Sequence, residues 1–350
     1  MNRRITIIAA FAVALTAGLA VAPRRYVVEG VSMGPALLPG DVVATGWVPS
    51  ADRRRQPSRF DRWIVTLPDG STGLKRVIGL PGETVKFAEG DLVIDGHTTL
   101  KGPRLLAEMG SHEWQLANLP PARPVHADRG AGPQPAIHPL ASGASPDSHW
   151  SAAPAVVLDD APFTPGEVSR LLLPVRDAGF AAELLVPPEA VRAGAVRVRA
   201  SAGPLCVGWR LGRAGRYCVV AGRLDGHAVA AAWPLPAGRP PIGRSRSCLP
   251  PAPPEAWDVA LPWPARGDGT ARADFTPALA LSLATEGDMP IVIEQVTTWR
   301  DILYRSAANG TTTWSLEGDS IFVLGDFPSG SRDSRHFGAL PVTALWHRLP

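Results

Sequence analysis

The sequence predicts a mainly β protein: an antiparallel β-domain behind one N-terminal transmembrane helix, with a large β-rich accessory region inserted into it. Three observations predict this. Between Asp41 and Asp95, short runs rich in β-branched residues alternate with Gly, Pro and Asp-Gly punctuation. Residues 5–22 form an uncharged run of 18 behind Met1-Asn2-Arg3-Arg4. From about Leu105 the chain turns Pro-rich, and a separate strand pattern follows before the character of the first part returns near residue 297. The expected division is therefore 1–25 anchor, 26–104 first part of the β-domain, 105–165 linker, 166–296 inserted β-rich region and 297–350 second part of the β-domain.

At 1.5 Å per residue the 18-residue apolar helix would be about 27 Å long, close to the ~30 Å hydrocarbon core. Ala20-Val21-Ala22 also has the small-x-small form of a cleavage site, so a removable leader is the rival reading. Pro23, directly after that site, favours a retained anchor. Arg3 and Arg4 favour a cytoplasmic amino terminus, while Arg24 and Arg25 pull the other way.

The runs 41–45, 63–67, 75–78 and 91–94 read as strands, with turns at Gly40, Pro68-Asp69-Gly70, Pro81-Gly82 and Asp95-Gly96. Arg53-Arg54-Arg55 reads as a solvated loop. In the insert, residues 195–200 alternate with period two, and Tyr217–Val220 with Leu224–Val229 suggest a hairpin about Asp225-Gly226. Strand-like runs resume at 278–283 and 291–294 after a second Pro-rich gap, which suggests a sandwich whose strands come from both sides of that gap.

Several function classes are excluded or disfavoured. With 35 Lys+Arg against 32 Asp+Glu the net charge is only +3, so no nucleic-acid footprint is visible. His112, His126, His138 and His149 are too widely spaced for a local metal-ligand pair, and no Cys/His arrangement has zinc spacing. No metal or cofactor is expected. Of the three cysteines, Cys206 and Cys218 bracket a hairpin and could pair in an oxidising compartment, leaving Cys248 over.

Chemistry concentrates in three stretches. Ser32 lies ten residues beyond the apolar run, in a turn bounded by Gly30 and by Pro39-Gly40. A hydroxyl needs a base to become a nucleophile. Lys75, flanked by Leu74 and Val77-Ile78, is the candidate, since an apolar setting draws its ammonium toward neutrality. Taken singly, the serine could be a solvated turn residue and the lysine a snorkelling strand residue. The third stretch runs from Gly325-Asp326 through Ser331, Asp333, Ser334 and Arg335 to Gly338.

In this order the three stretches resemble the type I signal peptidases, Ser/Lys membrane proteases that remove signal peptides from exported proteins. The motifs carrying the resemblance are Ser-Met-x-Pro-x-Leu from Ser32, Lys-Arg-Val-Ile-Gly-Leu-Pro-Gly from Lys75, and the Ser-x-Asp-Ser-Arg run from Ser331. It covers about residues 26–100 and 297–345. The resemblance implies Ser32 as nucleophile and Lys75 as general base. Ser331 would hydrogen-bond the lysine amine, Asp333 and Arg335 would form a buttressing salt bridge, and Asp326 would belong to the same supporting shell. Met33 and Pro35 would line the substrate cleft, with the Ser32 backbone N–H donating to the oxyanion. Gly30 stands where many members carry a second, side-chain oxyanion donor. Phe327-Pro328 replaces the family's Asn-Arg, and Ala36 its Thr. The implied setting is a single-pass protein of the cytoplasmic membrane with its catalytic domain on the extracytoplasmic side, acting on signal peptides at the lipid bilayer. The substrate would lie extended by β-addition, with small side chains at the first and third positions before the scissile bond.

Two other classes stay open on these residues. A self-cleaving repressor-type Ser/Lys protease shares the Ser-Met turn and the lysine, but lacks the anchor and the third motif. A catalytically impaired envelope protein, whose β-insert binds glycan or protein, is compatible with Gly30 and Phe327-Pro328.

Overall fold

The computed structural model describes residues 24–45, 57–112, 148–155, 157–159, 173–193, 196–203, 205–237, 247–250, 252–263, 279–286, 291–305 and 310–349. The apolar run 5–22, Arg53-Arg54-Arg55 and two of the four loop histidines, His126 and His138, lie outside them. Among the described residues, no helix is long and apolar enough to cross a membrane. The described chain is mainly β, all its pairings are antiparallel, and its helices are few and short. It divides into one unit of residues 1–85 with 306–350, and a second of residues 86–305.

In the first unit, strands β1 (Arg25–Val27) and β2 (Val42–Ala44) form a two-stranded ribbon in the register Arg25↔Ala44 to Val27↔Val42. A five-stranded sheet is built from β3 (Arg62–Thr66), β4 (Thr72–Gly79), β5 (Ser320–Leu324), β6 (Leu340–Pro341) and β7 (Leu345–Arg348), in the order β6-β5-β4-β3-β7. Val65, Val77, Ile321 and Val323 are fully buried and pack with Trp63 and Leu340. Burying each such side chain contributes about 1.5–3 kcal/mol before the entropy of ordering it. The last five residues of β4 are all buried, so this strand has no solvent face. A lysine and an arginine inside it must therefore find partners or change charge.

The second unit is a β-sandwich. Its six-stranded sheet runs Val259–Pro262, His227–Pro234, Gly215–Leu224, Ala178–Val186, Val292–Arg300, Ser111–His112. Its four-stranded sheet runs Leu205–Leu211, Val196–Ala202, Leu279–Glu286, Ser148–Ala155. Phe180, Leu184, Val198, Ala200, Val219 and Ala230 fill the space between the sheets. The hairpin about Asp225-Gly226 is present, with both turn residues at positive φ (46° and 69°), the geometry for which Asp-Gly is suited. The sandwich does draw strands from both sides of the second Pro-rich gap.

Three local readings change. The stretch from 105 holds most of a helix, Pro103–Met109, and further on the strands Ser148–Ala155 and Val157–Asp159. Leu106 and Ala107 of that helix, with Cys248 and Leu249, cover the outer face of the six-stranded sheet, packing on Trp299, Cys218 and Val220. Cys206 and Cys218 do not pair: Cys206 is exposed on the outer face of one sheet, while Cys218 is buried under that helix layer on the other. The segment Trp299–Tyr304 belongs to the second unit, where Asp301 pairs with Lys101.

Candidate active site

The turn that carries Ser32 is an excursion from the β1–β2 ribbon. Val28 N–H donates to Asp41 O at 2.8 Å and Gly40 N–H to Val28 O at 2.7 Å, closing the excursion at its base. Gly40 sits at φ +91°, a conformation that favours glycine. Inside the loop, Gly34 N–H donates to Val31 O at 2.9 Å and Leu37 N–H to Met33 O at 3.0 Å, while Asp41 Oδ2 accepts from Leu38 N–H at 2.8 Å. Met33 anchors the turn at 1 % exposure, Pro35 is half-buried, and Ser32 beside Met33 is left half-exposed.

Lys75 sits on β4 opposite Trp63 of β3 and is 4 % exposed. Its Nζ donates to Oγ of Ser32 at 3.1 Å, bridging 43 residues of sequence. Burial pushes the lysine pKa below its ordinary value, and Arg335 adds to that. The carboxylates of Asp333 and Asp326 pull the other way and do not overcome the burial. The site thus holds a hydroxyl in contact with an amine biased toward its neutral, basic form.

Arg76 is next on β4, so its side chain leaves the opposite face of the strand. It is 1 % exposed and is neutralised by a two-pronged ion pair with Asp326: Nε to Oδ1 at 2.8 Å and Nη2 to Oδ2 at 2.6 Å. Its Nη1 also donates to Phe60 O at 2.8 Å. Sequence reasoning grouped Asp326 with the supporting residues but missed Arg76 as its partner. The signal was present, because an arginine within a run of buried strand residues requires a counter-ion.

The third stretch folds as a buried clamp. Asp333, fully buried, caps the helix α1 (Ser334–Phe337), its Oδ1 accepting from Arg335 N–H at 3.2 Å and Arg335 Nε at 2.8 Å. Its Oδ2 accepts from Gly325 N–H at 3.1 Å and Arg335 Nη2 at 2.9 Å. The expected Asp333–Arg335 salt bridge is therefore formed. Arg335 also donates to Pro328 O at 2.7 Å, which fastens the turn that Phe327-Pro328 makes in place of Asn-Arg. Phe327 N–H donates to Ser32 O at 3.0 Å, so this stretch holds the Ser32 turn directly.

Ser331 is placed at the site but not in the expected bond. Its Oγ is buried and has no hydrogen-bond partner, so the structure does not form the Ser331–Lys75 contact. A Cβ on Gly325 would lie 2.3 Å from that Oγ and 2.4 Å from Ser32 O, which shows how closely Ser331, Gly325 and Ser32 converge. Ser334 does something different: its Oγ accepts from Val323 N–H of β5 at 3.0 Å. We expect Ser331→Ala to lower turnover by about 10²-fold with little change in unfolding midpoint, and Ser334→Ala to lower stability by about 1–2 kcal/mol through the orphaned Val323 N–H. Paired kinetic and denaturation measurements check this, and the reverse pattern would exchange the two roles. Gly30 is exposed, and nothing lies within 4 Å of where its side chain would begin.

Residues 2–129 match the family model described as signal peptidase, peptidase S26. Signal peptidase I V of Bacillus subtilis (strain 168) is 39 % identical over 71 residues. Over this stretch the chain is similar to the signal peptidase S26 family. The aligned part is 20 % of this chain and 41 % of the curated relative, so the chain spans about two fifths of that relative's length. Within the S26 stretch lie Gly30, Ser32, Met33, Pro35, Lys75 and Arg76. Asp326, Ser331, Asp333 and Arg335 lie beyond the matched residues and reach the site through the fold.

Proposed function

We propose that the chain is a membrane-bound serine endopeptidase that removes N-terminal signal peptides from exported preproteins with a Ser32/Lys75 dyad. The observation that carries this reading is the contact between a buried, pKa-lowered Lys75 and Oγ of Ser32 at 3.1 Å. The S26 match supports signal peptides as the substrate class.

Neutral Lys75 takes the Ser32 proton as Oγ attacks the scissile carbonyl. The oxyanion of the tetrahedral intermediate is met by the Ser32 backbone N–H. With Gly30 in place of a side-chain donor, that backbone group acts without the partner many relatives supply. On collapse, the Lys75 ammonium returns the proton to the leaving amine, and a water activated by the same lysine releases the acyl-enzyme. Ser331, whose Oγ has no partner in this structure, is the group proposed to take up the Lys75 amine during the reaction, and the Asp333–Arg335 pair holds its loop. Residues 5–22 anchor the chain in the cytoplasmic membrane with the dyad on the extracytoplasmic face, where the apolar run keeps Ser32 near the bilayer surface.

The test is cleavage of a model preprotein by the full chain in detergent, wild type against Ser32→Ala. The expected result is a single cut after the signal peptide that Ser32→Ala abolishes. Equal cleavage, or none by either protein, would sink the protease reading and leave the impaired envelope protein.

A further inference from the structure

At one end of the sandwich, four carboxylates face one ammonium and one guanidinium. Lys101, fully buried, pairs with Asp225 Oδ1 and with Asp301 Oδ2, the latter at 2.8 Å, and its backbone N–H donates to Asp225 Oδ2 at 2.8 Å. Asp177 Oδ2 accepts from Asp225 N–H at 2.7 Å. Asp177 and Asp91 bring carboxylate oxygens within 4.8 Å of each other and of Asp225. Oδ1 of Asp177 is buried with no hydrogen-bond donor. Nε of Arg223 stands 3.7 Å from it, itself buried and without an acceptor. If every acid were ionised, four negative charges would face two positive ones in a site that is buried except at Asp91.

We infer that Asp91 and Asp177 share one proton, which makes this end of the sandwich a proton-linked lock. Two carboxylates this close cannot both ionise cheaply, and a single bridging proton supplies the missing donor. A metal ion fits less well. Asp225 has both oxygens committed to Lys101, Asp177 has one committed to Asp225, and the guanidinium of Arg223 occupies the remaining approach.

The surrounding groups do not supply the balance. Arg176 pairs with Glu89 at the rim and also attracts Asp177 from there while repelled by Arg223, and His227 Nδ1 lies 2.8 Å from the Asp225 carbonyl, not the carboxylate. Arg300 donates to the Asp301 carbonyl at 3.4 Å, and the Cys248 thiol donates to Leu106 O at 3.2 Å. The Tyr304 ring lies under Lys101, with Nζ 5.6 Å from its centroid. Burial pushes Asp91 up to about 6 and, with the Asp91 carboxylate, pushes Asp177 well above the ordinary range.

The sign follows. Between the unfolded carboxylate pKa near ~3.9 and the raised folded values, the folded unit keeps a proton that the unfolded chain has released, so its stability falls as pH rises. This is opposite to an ordinary salt-bridged aspartate.

The test is hydrogen exchange on the full chain in detergent, following amides of Ala178–Val186 and Gly215–Leu224 between pH 4 and 6.5. After correction for intrinsic exchange, the wild-type opening constant is expected to rise with pH by up to about tenfold per unit. Asp177→Asn, which can donate a hydrogen bond to Asp91 at any pH, is expected to remove about one proton from that slope. Asp91→Asn, at a half-buried position, should do the same and keeps the test open if Asp177→Asn does not fold. A flat wild-type profile, or an unchanged slope in the folded variants, overturns the inference. So does loss of the slope on adding millimolar Ca²⁺ or Mg²⁺ with recovery in EDTA, which would make this a cation site.

Discussion

Lys75→Arg is expected to be as inactive as Lys75→Ala, with turnover reduced by about 10⁴-fold or more in each. The arginine keeps the positive charge and much of the length, so a role limited to packing or charge would survive the exchange. A role as base cannot, because a guanidinium does not lose its proton in the accessible pH range. The wild-type rate should rise with pH through a midpoint below that of free lysine, since burial lowers the Lys75 pKa and only the neutral amine accepts a proton. Stability follows the same group. Below its folded pKa the buried ammonium is a penalty, and that penalty fades as pH rises toward the unfolded value. Lys75→Met is therefore expected to be inactive yet more stable than wild type at neutral pH, as measured by urea unfolding. Near-normal turnover in Lys75→Arg would remove Lys75 from the mechanism.

Asp326→Ala is expected to destabilise the first unit by about 3–5 kcal/mol, the largest single-residue stability effect at the site. The reason is the state it leaves behind. Both carboxylate oxygens that neutralise Arg76 disappear, and the guanidinium stays at 1 % exposure on a strand with no solvent face. Activity should fall with it, since Arg76 and Lys75 are neighbours on β4 and Asp326 adjoins Phe327, whose N–H holds Ser32. Replacing both partners, as Arg76→Met with Asp326→Leu, should restore most of the stability, because an apolar pair leaves no uncompensated charge. Equilibrium unfolding of the single and double variants measures this. A single-variant loss below about 1 kcal/mol would show that the pair is neutralised by other groups.

The pairing of Ser32 with Lys75 was legible in the sequence because chemistry needs few residue types. A serine in a Gly/Pro-bounded turn and a lysine set in a β-branched run are informative at the level of single positions. The Asp225-Gly226 hairpin was legible for a related reason, since two adjacent positive-φ positions narrow the choice of residues. Other features depend on partners far away in sequence. Pro103–Met109 is only seven residues long and too short for helical periodicity to declare itself, so its helicity rests on packing over the six-stranded sheet. The outward direction of Cys206 follows from strand register, which brackets in sequence do not reveal. Lys101 drew no notice as a lysine in a turn-rich segment, because its two carboxylate partners are 124 and 200 residues away.

The Arg76–Asp326 pair closes a loop of 250 residues. Ser32 and Lys75 are made early, but the strand β5, and the counter-ion for the arginine beside Lys75, are made more than 240 residues later. At about 5–20 residues per second, synthesis leaves roughly 10–50 s in which Ser32 and Lys75 exist without β5 and the Asp333 clamp. During that interval Arg76 lacks Asp326, and nothing fastens the serine turn from the Phe327 side. The order of the segments thus acts as a timer: the contact between Ser32 and Lys75 cannot be fastened in its final setting until Asp326 and the Asp333 clamp have been made.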